Sequence, residues 1–198
     1  MKIDYSIIID FFSMIISGFT LLMTYKISSR ANNISKNSVR PYLDIIIGNY
    51  SDCTYIKIKN NGLGTAIIKN IIFTYENKNL INQPICASNI IDAIIKYNKH
   101  ITSENKIDNK YVTFVEDIKN RGIGAHDEII ILEKRYEKIN NSIRIEDIRN
   151  NMSPERKKLL TFLKDLKIKV EYINIFGDEI KPPCERKLHF FGKNLLNK

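Results

Sequence analysis

Ser6–Tyr25 reads SIIIDFFSMIISGFTLLMTY. A helix of about 20 residues rises about 30 Å, the thickness of a bilayer's hydrocarbon core. The run contains no Lys, Arg, Glu, Pro or His. It predicts a transmembrane helix over 6–25, with everything after it a domain tethered to one face of a membrane. Asp10, Ser13, Ser17, Thr20 and Thr24 recur at steps of three, four, three and four. That is the spacing of the a and d positions of a heptad, so the five share one stripe. Ile7, Ile8, Phe11, Phe12, Ile15, Phe19 and Leu22 cover most of the rest.

Small polar side chains along one stripe let helices approach closely and hydrogen-bond across the contact. Asp10 is the costly member. A carboxylate in lipid is unfavourable by about 3 kcal/mol on insertion scales, so it should face protein or water, or be protonated. Two readings follow. One is a homo-oligomeric bundle with a polar lumen. The other is a monomeric anchor whose Ser and Thr hydroxyls bond back to their own helix, with Asp10 near the headgroups. The seam continues as Ile27, Ala31, Ile34 and Ser38. Residues 26–40 are therefore a juxtamembrane connector or an extension of the helix, weakened by Asn32 and Asn33.

The competing reading of the run is a signal peptide. The apolar stretch exceeds the usual h-region, Lys2 is the one cation before it, and no small-x-small cleavage site follows. Orientation follows from charge. Lys2 and Asp4 precede the span, whereas Lys26, Arg30, Lys36 and Arg40 follow it. The positive-inside rule then predicts a short N-terminus (1–5) outside, a single pass through a bacterial inner (plasma) membrane, and a cytoplasmic C-terminal domain.

The chain has 198 residues and a formal charge of +9. Without the anchor there is room for one domain with a real core. Cys53, Cys86 and Cys184 are odd in number and widely spaced, so they suggest neither a disulfide framework nor a metal site, consistent with a reducing compartment. The basic balance suits a domain beside an anionic leaflet, or one that meets an anionic small ligand such as a nucleotide. A solvated basic surface is the plainer explanation.

Beyond the connector, Pro41 marks the start of the folded domain (41–192), because a residue before proline disfavours helix. Tyr42–Tyr50 and Cys53–Lys59 read as strands; the second alternates Tyr55, Lys57 and Lys59 against Ile56 and Ile58, giving one wet and one buried face. Asn60-Asn61-Gly62 then predicts a hairpin turn into a third strand, Ala66–Tyr75. Gly62 and Gly64 could cradle phosphate only if a helix opened after them, and no helical pattern does. Ser88–Asn98 has helical spacing, with Ser88 as cap and Ile90, Ile91, Ile94, Ile95 and Tyr97 inward. Tyr111–Val115 and Glu128–Tyr136 read as strands, joined by a turn-rich Asn120–Asp127. His126, Asp127 and Glu128 are adjacent loop residues that do not converge on one point.

Ser153-Pro154-Glu155 is a helix start, with cap, first-turn proline and an acid at the positive dipole end. That helix should run to about Leu166 and carry Arg156, Lys157, Lys158 and Lys164 on its outer face, as contacts for an anionic ligand or lipid headgroups. Lys167–Phe176 alternates cleanly and reads as a strand turned by Gly177-Asp178. Lys187–Phe191 is a last edge strand, and 193–198 a frayed tail. The predicted class is an N-terminal transmembrane helix plus a mainly-β soluble domain, an antiparallel β-sandwich with two or more packing helices.

Three stretches carry a resemblance: Arg40-Pro41-Tyr42-Leu43, Lys59-Asn60-Asn61-Gly62-Leu63-Gly64-Thr65-Ala66-Ile67-Ile68, and Tyr172-Ile173-Asn174-Ile175-Phe176-Gly177. In these the chain resembles a set of uncharacterised bacterial single-span membrane proteins with a cytoplasmic immunoglobulin-like β-sandwich domain. That set usually has proline where Thr65 stands and an acid where Asn174 stands. The resemblance implies the sandwich architecture and no activity, and such domains look like parts of phage-defence or stress-response systems.

Function divides into two main hypotheses. The first is a membrane-anchored, non-enzymatic interaction or sensing protein, oligomerising through its transmembrane helix and binding a protein partner, a nucleotide or lipid headgroups. The second is a ligand-triggered effector in which the Asp10–Thr24 stripe becomes a membrane-disrupting or pore-forming bundle. An enzyme is disfavoured because His100, His126 and His189 are isolated and Cys184 lies in a Pro-Pro-Cys-Glu turn. No catalytic set, cofactor or metal site is expected. Nucleic-acid binding is also disfavoured: the basic residues are dispersed and the chain has no Trp.

Overall fold

The computed structural model describes residues 5–50, 52–76, 84–108, 118–136 and 152–189. The chain divides at Pro41 into two compact units, Met1–Arg40 and Pro41–Lys198.

The first unit is one helix, α1, spanning Tyr5–Ser38. Its 34 residues correspond to about 51 Å of helix, about 20 Å more than a bilayer core requires. It is long and apolar enough to cross a membrane. Residues 26–38 are thus a helical extension, and Asn32 and Asn33 do not interrupt it.

The second unit is built from two antiparallel sheets. Strands β1 (Leu43–Asn49), β2 (Cys53–Asn60) and β6 (Glu128–Arg135) form one, in the order β1-β2-β6. The other has the order β4-β3-β7-β8, from β4 (Ile85–Ala87), β3 (Ala66–Tyr75), β7 (Leu166–Asn174) and β8 (Cys184–Lys187). A two-residue strand, β5 (Gly122–Ile123), also pairs with β3.

Alternation builds the core. On β2, Ile56 and Ile58 are fully buried while Tyr55, Lys57 and Lys59 face outward. On β7, Leu166, Ile168, Val170 and Tyr172 point inward from the opposite sheet. Both sets belong to one hydrophobic cluster. Gly48 lies opposite Tyr55, whose ring occupies the space a β-carbon would need.

Two helices close one end. Helix α2 (Ile90–Asn98) and α3 (Pro154–Lys164) bring Tyr97 and Phe162 onto Tyr75, with ring centroids 4.9–5.5 Å apart. Tyr75 ends β3 and pairs with Leu166. Ala66 begins β3 and pairs with Asn174, about 30 Å away along the strand. The aromatic plug and the Asn174 turn therefore mark opposite ends of the sandwich.

Several local expectations are corrected. Asn60–Gly64 does not close a hairpin: β2 pairs with β1 and β6, β3 with β4, β5 and β7, and the loop crosses between sheets. Asn-Gly chemistry specifies a turn, whereas the burial of both strands' inner faces against one another decides that the turn bridges layers. The α2 cap is Asn89, whose Oδ1 accepts from Asp92 N at 2.7 Å, and not Ser88. Ile95 lies on the outer side of α2, and Ala93 takes its place inside. Helix α3 stops at Lys164, and Leu166 already opens β7. The edge strand expected at Lys187–Phe191 lies earlier, as β8, where it pairs with Lys167–Val170. The strand expected at Tyr111–Val115 lies outside the described residues.

Candidate functional site

Three features bear on function, taken from the N-terminus onward. The first is the stripe on α1. Asp10, Ser13, Ser17, Thr20 and Thr24 are all exposed. Thr20 Oγ1 donates to Ile16 O and Thr24 Oγ1 to Thr20 O, each at 2.8 Å. These are the bonds by which a hydroxyl satisfies itself on its own helix, and each oxygen keeps capacity to accept from a neighbour.

The second feature is α3. Ser153 caps it, with Oγ accepting from Arg156 N at 3.2 Å. Lys157, Lys158 and Lys164 lie on its outward side. Arg156 does not join them, which corrects its expected place on the outer face: it is 6% exposed. Its Nη2 donates to Asn49 Oδ1 at 2.8 Å and to Tyr50 O, and its guanidinium lies 4.2 Å from the centre of the Tyr136 ring. Tyr136 donates to Thr54 Oγ1 at 3.2 Å, and Thr54 donates to Asn49 Oδ1 at 2.9 Å. Burial lowers the Arg156 pKa below the usual guanidinium range, opposed by Tyr136, Cys53 and Asp52. One amino group serves both carbonyl acceptors while the guanidinium lies over the ring, so Arg156 is a latch between α3 and the β1–β2 corner.

The third feature is the end where the chain enters the sandwich, and all three resemblance motifs gather there. Asn60 is fully buried. Its Oδ1 accepts from Tyr42 N at 3.1 Å and Gly62 N at 3.0 Å. Its Nδ2 donates to Gly64 O, Ile123 O and Gly124 O at 2.6–3.1 Å. One side chain thus holds the start of β1, the crossing loop and the loop before β6. Asn174 does the same for the last turn: Oδ1 accepts from Phe176 N and Asp178 N, both at 2.9 Å. Tyr172 joins β7 to β1 through its hydroxyl, 3.5 Å from Leu43 N.

Pinned in this way, the loops present Tyr42, Leu63, Ile175 and Phe176 to solvent as exposed large apolar side chains. Sequence reasoning missed this group. The signal was present as apolar residues inside turn motifs, where turn chemistry alone would choose polar ones.

His126, Asp127 and Glu128 each engage partners on β2. His126 takes a left-handed backbone (φ 64°) and donates its N–H to Asn60 O at 2.9 Å. Asp127 O accepts from Asn60 N, and Glu128 pairs with Lys57 at 2.6 Å. Gly62 and Gly64 serve Asn60, and a strand follows them. Among the described residues no cluster of three or more His, Cys, Asp or Glu is placed to hold a metal ion. Cys184 is free, and burial pushes its thiol up to about 11. Burial and then Asp52 also raise Cys53. Both shifts disfavour the thiolate.

Compared with known proteins, the chain matches no family model, no curated protein and no solved structure.

Proposed function

We propose that the protein is a membrane-anchored, non-enzymatic interaction or sensing module, working in phage defence or stress response. Its α1 helix crosses a bacterial inner membrane with the N-terminus outside and oligomerises through the Asp10–Thr24 stripe. Its sandwich lies in the cytoplasm and binds a partner protein or an anionic ligand. One observation carries this reading: exposed Tyr42, Leu63, Ile175 and Phe176 stand on loops held rigid by two satisfied, buried asparagines. Recognition surfaces favour this combination of rigid frame and presented apolar tips.

The testing measurement is the oligomeric state of the full-length protein in mild detergent, beside a chain that begins at Pro41. A defined oligomer against a monomer supports assembly through α1. Two monomers reduce the helix to a tether.

The second reading, a pore-forming effector triggered by ligand, is favoured by the carboxylate of Asp10 heading the polar stripe. Replacing Asp10, Ser13 and Ser17 with Leu should abolish toxicity on overexpression while membrane insertion persists. Undiminished toxicity of that variant removes the reading.

A further inference from the structure

Within α1 the pattern of polarity inverts along a single seam. Between Ile9 and Thr24 the polar side chains are Asp10, Ser13, Ser17, Thr20 and Thr24, and all of them fall on it. Between Lys26 and Ser38 the apolar side chains are Ile27, Ala31 and Ile34, and all of them fall on it too. The steps stay at three and four from Asp10 to Ser38, and the helix runs through all of them. In a heptad the a and d positions are only two of seven. One stripe therefore carries the minority chemistry of each medium: polar where the surroundings are lipid, apolar where they are water.

A partner helix rewards both halves. In lipid, apolar packing gives little contrast with acyl chains, and small polar groups drive association. In water the same seam needs apolar knobs. We propose that α1 forms a parallel homo-oligomeric coiled coil whose seam continues out of the membrane, so that Ile27, Ala31 and Ile34 pack against the same residues of a second copy. This rests on the reading of Ser6–Tyr25 as the membrane span and adds to it an interface in water.

Three further observations fit a second copy. Ile27 and Ile34 are 66% and 69% exposed in the single chain, large apolar residues on a polar stalk. Ser28, Ser29, Asn32, Asn33, Ser35, Asn37 and Ser38 make up seven of the thirteen residues from Lys26 to Ser38. Such a run is a poor helix former and is unstable alone in water, so its helical state calls for packing. Lastly, the cations avoid the seam. With Ile27 and Ile34 at d, Lys26 falls at c and Lys36 at f, both outward. Arg30 falls at g, where it meets the neutral Ser35 at e of the neighbouring helix. The strict alternation of three and four averages 3.5 residues per turn and specifies a left-handed supercoil.

Two heptads with one alanine would not associate as a free peptide. Copies tethered by their spans in one bilayer face each other at high effective concentration, which lifts that requirement.

The test is disulfide trapping in the full-length chain, in bilayer membranes, with Cys53, Cys86 and Cys184 replaced by Ala. Single cysteines are placed at the seam (Ile27→Cys, Ile34→Cys) and at outward f positions (Ser29→Cys, Lys36→Cys). Because a disulfide needs β-carbons within about 4.5 Å, the seam positions should trap dimers at about fivefold or greater yield over the outward ones. Light scattering on each variant reports assembly independently. An oligomer whose four positions trap equally, or not at all, overturns the stalk seam and leaves the membrane-held oligomer standing. A monomer overturns both.

Discussion

Helix α1 and the sandwich solve the same problem in opposite ways. A helix satisfies its own backbone, so the apolar segment of α1 holds its form with its large side chains exposed, from Ile9 to Tyr25. A strand cannot do this, and each described strand of the sandwich is paired with a neighbour in one of the two sheets. Among its described residues the buried polar Thr54, Asn60, Arg156 and Asn174 each have hydrogen-bond partners within the domain. The difference teaches where partners should be sought: on α1 large apolar side chains are exposed along the helix, whereas among the described residues of the sandwich Tyr42, Leu63, Ile175 and Phe176 stand exposed at one end.

The hardest way to break this contrast is through Asn60. Asn60→Ala removes the partner of two amides and three carbonyls at a buried corner. Unsatisfied buried groups cost about 1–3 kcal/mol each, so a loss of about 3 kcal/mol or more is expected in urea unfolding of the chain beginning at Pro41. The same loss should appear in the full-length protein, and the Leu variants of the α1 stripe should shift sandwich unfolding by less than about 0.5 kcal/mol. A cost for Asn60→Ala below about 1 kcal/mol would remove its role as the organiser of that end.

Arg156 sharpens the contrast at the other end of β1. Arg156→Ala leaves Asn49 Oδ1 and Tyr50 O without this donor and uncovers the Tyr136 ring. The expected loss is about 2 kcal/mol, and Arg156→Lys should recover less than half of it, since an ammonium lacks the flat guanidinium face that lies over the Tyr136 ring. Full recovery by Lys would mean that the charge matters and the flat guanidinium face does not.

The smallest effect concerns Cys184, whose thiol stands at about 11 against an ordinary 9.0 because of burial. Burial disfavours the thiolate in the folded state. Above pH 9 the unfolded chain therefore ionises first, and this contribution to stability is lost between pH 9 and about pH 11. Comparison with Cys184→Ala across that window isolates it: the parent should lose stability more steeply. The exposed Cys86 should also react with a thiol reagent well ahead of Cys184. Equal alkylation rates would count against a half-buried Cys184.

Much of the layout is legible in local sequence. Ile56 and Ile58 alternate with lysines, Leu166–Asn174 alternates along its length, and Ser153-Pro154 opens a helix; each is a period or a cap within one short segment. What escapes is every decision that depends on a distant residue. Arg156 sits among cations in sequence, and only the Asn49–Tyr50 corner, brought close by the β1–β2 pairing, turns it inward. Asn60 resembles half of a hairpin turn because its three carbonyl partners come from Gly64, Ile123 and Gly124, two of them more than sixty residues away.

By itself the sequence determined the helix that can cross a membrane, its single seam, and the faces of the main strands. Those follow from hydrophobic period and length, which are local properties of the chain. The tertiary structure alone decided that Asn60–Gly64 bridges two sheets, that Arg156 is a latch, and that Tyr42, Leu63, Ile175 and Phe176 share one end. Strand pairing is non-local: which edges meet is settled by burial of both layers at once, and no stretch of sequence contains that information.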